Sequence, residues 1–307
     1  MDTALEVIVP DPLVGEVKRG DLVGVYVYKF KSQSQQMLLA YEFDPKTPHL
    51  VLLRSHENFY REPVKIGREP SLRAKRSNLC RNAPPKPAKS AENTPMLHYE
   101  TVPVTAFQQN CSIVWCDEER RAAIIDPGGD KELLLETVKR LGVKLEQIWI
   151  THGHLDHAGA TADLAELLHL PIIGPHPADQ FWIDGMPMAA AAYGFPPSRT
   201  FTPTRWLHDG DTVTLGPYTL QVRHCPGHTP GHVVFYSPDI GRAFVGDVLF
   251  AGSIGRTDFP QGDHATLINS ITQRLWPMGN ATVFIPGHGP ESSFGVERAR
   301  NPYVGGT

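Results

Sequence analysis

The run Ile148-Trp149-Ile150-Thr151 leads directly into His152-Gly153-His154-Leu155-Asp156-His157, so three histidines and an aspartate stand within six residues at the end of an apolar stretch. No other feature of the chain restricts its fold as strongly. A strand tip that opens into a loop lets alternate side chains converge on one point, and a rigid scaffold must hold that tip. Imidazole nitrogen and carboxylate oxygen are the donors a zinc-like divalent cation takes when thiolate is absent. A solvated loop without a metal would more usually carry Lys or Glu.

The same arrangement returns three times. Arg223-His224-Cys225-Pro226-Gly227-His228-Thr229 follows one apolar run, Val245-Gly246-Asp247 ends another, and Phe284-Ile285-Pro286-Gly287-His288-Gly289 ends a third. Each run delivers a His or Asp into a loop bounded by Gly or Pro, where glycine lets backbone crowd close to a site. Together with the first cluster, these positions supply ligands for two metals. Cys225 is read as a small buried residue rather than a thiolate ligand.

The surrounding pattern indicates a scaffold of short strands with interspersed helices. Strands are expected at 99–104, 111–115, 122–125, 147–151, 213–215, 219–223, 233–236, 243–246 and 282–285. Leu133, Leu134, Val138 and Leu141 recur at helical spacing, and further helices are expected at 161–168 and 265–276. This order fits an α/β architecture of the αββα kind, a two-sheet sandwich flanked by helices.

Upstream of residue 96 the character changes. Twelve of the 14 histidines lie after residue 95. Residues 66–95 are basic, then rich in Pro, Ala, Ser and Asn, and too poor in apolar groups to offset their ordering entropy. The expected division is therefore a small β-rich segment of unknown role at 1–65, a disordered linker at 66–95, and a catalytic domain at 96–307. Strand-like runs at 22–30 and 49–54 carry the first part.

Charge and composition exclude several classes. Residues 96–307 carry 14 Lys and Arg against 22 Asp and Glu, so this part would repel a nucleic-acid backbone. No apolar stretch approaches the roughly 20 residues needed to cross a bilayer. Asp2 and Glu6 stand where a secretory leader would be positive. The expectation is a cytoplasmic protein without membrane or nucleic-acid partners. Cys80, Cys111, Cys116 and Cys225 are read as reduced thiols.

The strings PVTAFQQNCSIVWC, DPGG, THGHLDHAG, HCPGHTPGH, GSIGRTDFPQGD and FIPGHGP resemble the metallo-β-lactamase superfamily. Within it they are most similar to the short bacterial form of hydroxyacylglutathione hydrolase, glyoxalase II. The likeness runs from Leu97 to about Tyr303. It implies that His152, His154 and His228 hold one metal, that Asp156, His157 and His288 hold the second, and that Asp247 bridges them. It implies two divalent ions per chain, zinc first, with iron or manganese as alternatives. The implied substrate is a small glutathione-derived thioester, S-lactoylglutathione, cleaved to lactate and glutathione in methylglyoxal detoxification. A hydroxide shared by the metals would attack, with Asp156 orienting it.

The alternatives are a persulfide dioxygenase with a single iron, or a lactonase or β-lactamase of the same fold. By resemblance the GRTDF string is shared by hydroxyacylglutathione hydrolases and persulfide dioxygenases, whereas a one-iron site has no need of His288. The helical domain that grips glutathione in longer relatives is not expected, because the chain stops 19 residues after His288. Arg256 is then the substrate-binding candidate by motif position, with a salt bridge to Asp258 or Asp263 as its competing role. Thr151, His224 and Thr229 are candidates to orient the imidazoles from behind.

Overall fold

The computed structural model describes residues 97–306 and, within the first ninety-six, the backbone of four strands. The chain divides into two compact units, Met1–Lys86 and Pro87–Thr307. The expected linker at 66–95 and Cys80 lie outside the described residues.

In the first unit, β1 (Glu16–Val17), β2 (Val25–Ser32), β3 (Gln35–Glu42) and β4 (His49–Ser55) form one antiparallel sheet in sequence order. β2 and β4 match the two expected runs. β3 was not anticipated, because Met37-Leu38-Leu39-Ala40 is a block of apolar residues without period-two alternation.

The second unit has two sheets. One contains β5 (Leu97–Val104), β6 (Gln109–Cys116), β7 (Arg121–Ile125), β8 (Lys144–Trp149) and β9 (Ile172–Ile173), in that order. The other contains β10 (Thr212–Leu215), β11 (Tyr218–His224), β12 (Val233–Ser237), β13 (Arg242–Gly246), β16 (Val283–Pro286) and β17 (Ser292–Ser293). A small hairpin, β14 (Leu249–Phe250) with β15 (Ser253–Ile254), stands apart.

Alternation along the strands sorts side chains into three apolar layers. In β7, Ala123 and Ile125 face the space between the sheets, where they meet Trp149, Val222, Phe235 and Ile285. Ala122 and Ile124 point the other way, onto a layer with Leu134, Leu155 and Leu164. Those three come from α1 (Lys131–Leu141), α2 (Leu155–Ala158) and α3 (Thr161–Leu168). In β13, Phe244 points between the sheets, while Ala243 and Val245 join the outer layer with Leu267 and Phe294. These last two belong to α6 (His264–Ser270) and α7 (Phe294–Arg300). The result is the αββα sandwich.

Local signals account for the helix ends. α1 stops at Gly142, whose φ of 64° supplies the left-handed C-cap. α6 starts at Asp263, whose carboxylate accepts the Thr266 N–H at 2.7 Å. Two short helices, α4 (Gln180–Asp184) and α5 (Met186–Tyr193), were not anticipated. α5 is almost wholly apolar in sequence, Met-Pro-Met-Ala-Ala-Ala-Ala-Tyr, so it has no face pattern to read.

Candidate metal centre

β8, β11, β13 and β16 all end on one edge of the sandwich. Residues just beyond their ends carry the predicted ligands: His152 to His157 after β8, His228 after β11, Asp247 after β13 and His288 after β16. Parallel pairing of β7 with β8 and of β13 with β16 puts these tips on the same side. The structure brings all seven predicted residues together.

They form two triads. His152, His154 and His228 offer donor atoms within 4.8 Å of one another, and so do Asp156, His157 and His288. His154 Nδ1 stands 3.1 Å from His152 Nε2 and 3.0 Å from His228 Nε2. In the second set, His288 Nε2 is 3.1 Å from Asp156 Oδ2, and His157 Nε2 is 3.9 Å from the same oxygen. Asp247 lies between the sets, with Oδ1 3.3 Å from His157 Nε2 and Oδ2 3.6 Å from His228 Nε2 and 3.7 Å from His288 Nε2.

Hydrogen-bond accounting shows which way the lone pairs face. The Arg256 carbonyl can only accept, so His228 Nδ1, 2.7 Å away, carries the proton and Nε2 turns a lone pair inward. His288 Nδ1 likewise donates to the Phe107 carbonyl at 3.1 Å. His157 Nδ1 donates to Asp126 Oδ2 at 2.9 Å. The Thr151 hydroxyl donates to Asp126 at 2.5 Å and so accepts from His152 Nδ1 at 3.0 Å. Inner lone pairs thus converge, and His157 Nε2 and Asp247 Oδ1 are buried without a hydrogen-bond partner. Unsatisfied acceptors facing one another are costly unless a cation lies among them. The residues therefore fit a divalent metal.

The electrostatics of the triads differ. Burial holds His152 well below the usual imidazole range, His154 down to about 3, and His228 low as well. Burial acts the same way on His157 and His288, but carboxylates, Asp247 foremost, outweigh it and raise both. Burial alone would raise Asp247, yet His157 and His288 hold it well below the carboxylate range. Cys225 is buried, which pushes its thiol up to about 12, in keeping with a packing role.

Sequence reasoning missed several supporting residues. Asp126, in the DPGG turn at φ 53°, accepts from Thr151 N–H at 2.7 Å as well as from Thr151 Oγ1 and His157. It also lies within ligand distance of His152 and His157, but those bonds already occupy its oxygens. His232 stacks on His152 at 4.6 Å and accepts the Asp247 N–H at 3.0 Å. Asp179 accepts from Gly153 N–H, Thr229 Oγ1 and Gly231 N–H; burial outweighs these bonds and raises its carboxyl to about 6. An acidic residue at a strand tip marks Asp126, and the second His of HTPGH marks His232, whereas no local signal marks Asp179. Among the proposed orienting residues, Thr151 bonds an imidazole and Thr229 acts through Asp179. His224 does not serve the centre: its Nε2 bonds the Pro230 carbonyl at 2.8 Å and its ring stacks on His176 at 4.2 Å.

The family model described as the metallo-beta-lactamase superfamily matches residues 104–288, which span every residue of both triads. The chain belongs to that superfamily. It is a metallo-hydrolase whose His and Asp clusters suit a divalent cation. A curated relative, the hydroxyacylglutathione hydrolase GloC of Haemophilus influenzae, is 44% identical over 209 residues, covering 68% of this chain and 98% of that one. The solved structure of BLEG-1 B3 metallo-beta-lactamase superposes with a TM-score of 0.63 at 33% identity, covering 68% of this chain and all of that one. TTHA1623 in a di-iron-bound form gives 0.61 at 38% identity, covering 67% and 100%. A separate model, described as a ParE-like toxin of a type II bacterial toxin-antitoxin system, matches residues 1–64.

Around the superfamily centre, the ring of Phe259 lies 4.8 Å from that of His154 and 5.6 Å from that of His228. The Arg256 guanidinium sits 4.5 Å above that ring and pairs with Asp258 at 2.8 Å, both side chains being about two-thirds exposed. Of the two predicted salt-bridge partners the structure selects Asp258, since Asp263 caps α6. Phe107, whose carbonyl holds His288, is exposed and packs on Phe195 at 5.0 Å. No helix among the described residues is long and apolar enough to cross a membrane.

Proposed function

We propose that this protein is a dinuclear thioester hydrolase that cleaves a hydroxyacyl-glutathione, such as S-lactoylglutathione, to the hydroxy acid and glutathione. The observation that supports this most is the pair of triads joined across Asp247, with inward lone pairs on both sides. The likeness to GloC adds the substrate class. His152, His154 and His228 would hold one ion, Asp156, His157 and His288 the other, and Asp247 would span them. Divalent ions held by these residues, zinc by preference, would supply a water of lowered pKa and Lewis acidity for the thioester carbonyl.

The chain's own groups then divide the work. Asp156, the carboxylate of the more accessible triad, orients the attacking water. Asp126 and the Phe107 carbonyl keep the lone pairs of His157 and His288 turned inward through the reaction. The exposed Arg256 guanidinium, one aromatic ring away from the first triad, grips a substrate carboxylate. Attack at the carbonyl breaks the C–S bond; the water oxygen goes to the acid, and the sulfur leaves as thiolate without a strong acid.

The test combines metal analysis with a panel of substrates: S-lactoylglutathione with free-thiol detection, a β-lactam, a lactone, and glutathione persulfide with oxygen consumption. Two ions per chain with thiol release from the thioester is the expected result. Preferential turnover of the β-lactam or lactone, or oxygen uptake with a single iron, would overturn it.

A further inference from the structure

We propose that Asp179 is a positioning residue that assembles one metal triad and not the other. It ties together the two loops carrying His152, His154 and His228, and leaves Asp156, His157 and His288 to other supports. The inference rests on the dinuclear reading above.

Asp179 closes a short 3-10 turn, Pro177–Asp179, and is fully buried. Its Oδ2 accepts from Gly153 N–H at 2.9 Å and from Thr229 Oγ1 at 2.8 Å, and its Oδ1 accepts from Gly231 N–H at 2.6 Å. Gly153 lies between His152 and His154, and Thr229 directly follows His228. One carboxylate therefore reaches within one residue of all three ligands and spans two loops from different sheets. The same turn adds a main-chain tie, His176 N–H to Gly231 O at 3.1 Å. The second triad is held elsewhere, His157 by Asp126 and His288 by the Phe107 carbonyl.

Two glycines are needed for this approach. A Cβ on Gly231 would fall 2.6 Å from both the Asp179 main-chain N and Oδ1, and one on Gly153 would lie 3.1 Å from the Asp179 carbonyl and 2.8 Å from Trp182 Cβ. The choice of a carboxylate is informative too. Burying one without a cationic partner is expensive, and no ion pair to Asp179 occurs among the described residues. A hydroxyl or amide would link two loops at smaller cost. Only a carboxylate accepts from all three donors and also adds negative charge behind a site built from neutral imidazoles.

The experiment uses the full-length chain and zinc alone. Asp179→Asn keeps the shape but turns an NH2 towards one of the three donors. Thr229→Val removes a single bond and leaves the carboxylate, so it serves if the first variant does not fold. Each is dialysed against buffered zinc over a range of free concentrations, and bound ions per chain are counted. Cobalt absorption spectra of the same proteins report which ligand set has changed. For Asp179→Asn, one of the two ions should bind about 10- to 100-fold more weakly while the other keeps its wild-type affinity. Thr229→Val should weaken the same ion by a smaller factor. Equal weakening of both ions, or of neither, would overturn the positioning role. A wild-type chain that holds fewer than two ions would instead overturn the dinuclear reading, and this inference with it.

Discussion

The two triads share Asp247 but follow opposite electrostatic plans. His152, His154 and His228 are buried, carry no carboxylate of their own, and are kept neutral by burial. Asp156, His157 and His288 are crowded by carboxylates, and His288 is 30% exposed. The first set presents lone pairs with no proton to displace. The second set concentrates negative charge, which a bound cation or protons on its imidazoles would offset. The first set is closed off from water, whereas the second is partly open, with Asp156 17% and His288 30% exposed around a fully buried His157.

The largest expected effect removes what the triads share. Asp247→Ala should weaken retention of both ions and lower turnover by on the order of 100-fold or more, since each site loses a carboxylate. Metal counting alongside steady-state assays checks this; near-normal turnover with both ions retained would exclude a bridging role.

Acidification should separate the triads. His157 and His288 have raised pKa values, so they are protonated below those values, and metal binding there must release protons. Affinity at the second triad should therefore fall as pH falls, by about tenfold per pH unit for each proton displaced. The first triad, with His154 at about 3, has no such protons to lose near neutrality and should change far less. Zinc titrations between pH 6 and 8 measure both, and parallel slopes would erase the distinction.

A smaller change is expected at the rim. Arg256→Ala should raise KM for a glutathione thioester by about tenfold or less, with kcat and metal content unaltered, because it removes uniform binding. The exposed pair with Asp258 is worth ~0–1 kcal/mol, so thermal stability should hardly move. A fall in kcat at constant KM would place Arg256 in the chemical step.

The smallest effect tests a region outside both triads. A protein starting at Met96 should keep its metal content and lose less than tenfold in kcat/KM, under ~1.4 kcal/mol of transition-state stabilisation. A larger loss would show that the first segment covers or grips substrate, a role that its likeness to a ParE-like toxin does not itself imply.

Much of this is legible in the amino-acid sequence itself. Strand tips followed by His, Asp and Gly are local signals, and all seven predicted ligands converge. α1 and α3 fall on the expected residues because Leu134 and Leu164 recur on faces that pack one layer. Less legible were elements without local pattern, such as β3 and α5, whose uninterrupted apolar blocks carry no period. Of the three residues weighed between orienting an imidazole and ordinary packing, His224 packs, because adjacency in sequence to a ligand loop says nothing about which way a ring turns.

By itself, then, the sequence determined the family, the sandwich and which His and Asp residues would stand at the strand ends, because short-range chemistry there is written in consecutive residues. Tertiary structure alone decided how the donors are divided and supported. Asp126 stands 31 positions from the imidazole it orients and Asp179 stands 50 from Thr229, distances over which no periodicity carries information. Asp179 in particular looks like any other acidic residue in a loop. Only folding brings two glycines close enough for its carboxylate to pass between the ligand loops, and burial there makes three hydrogen bonds obligatory.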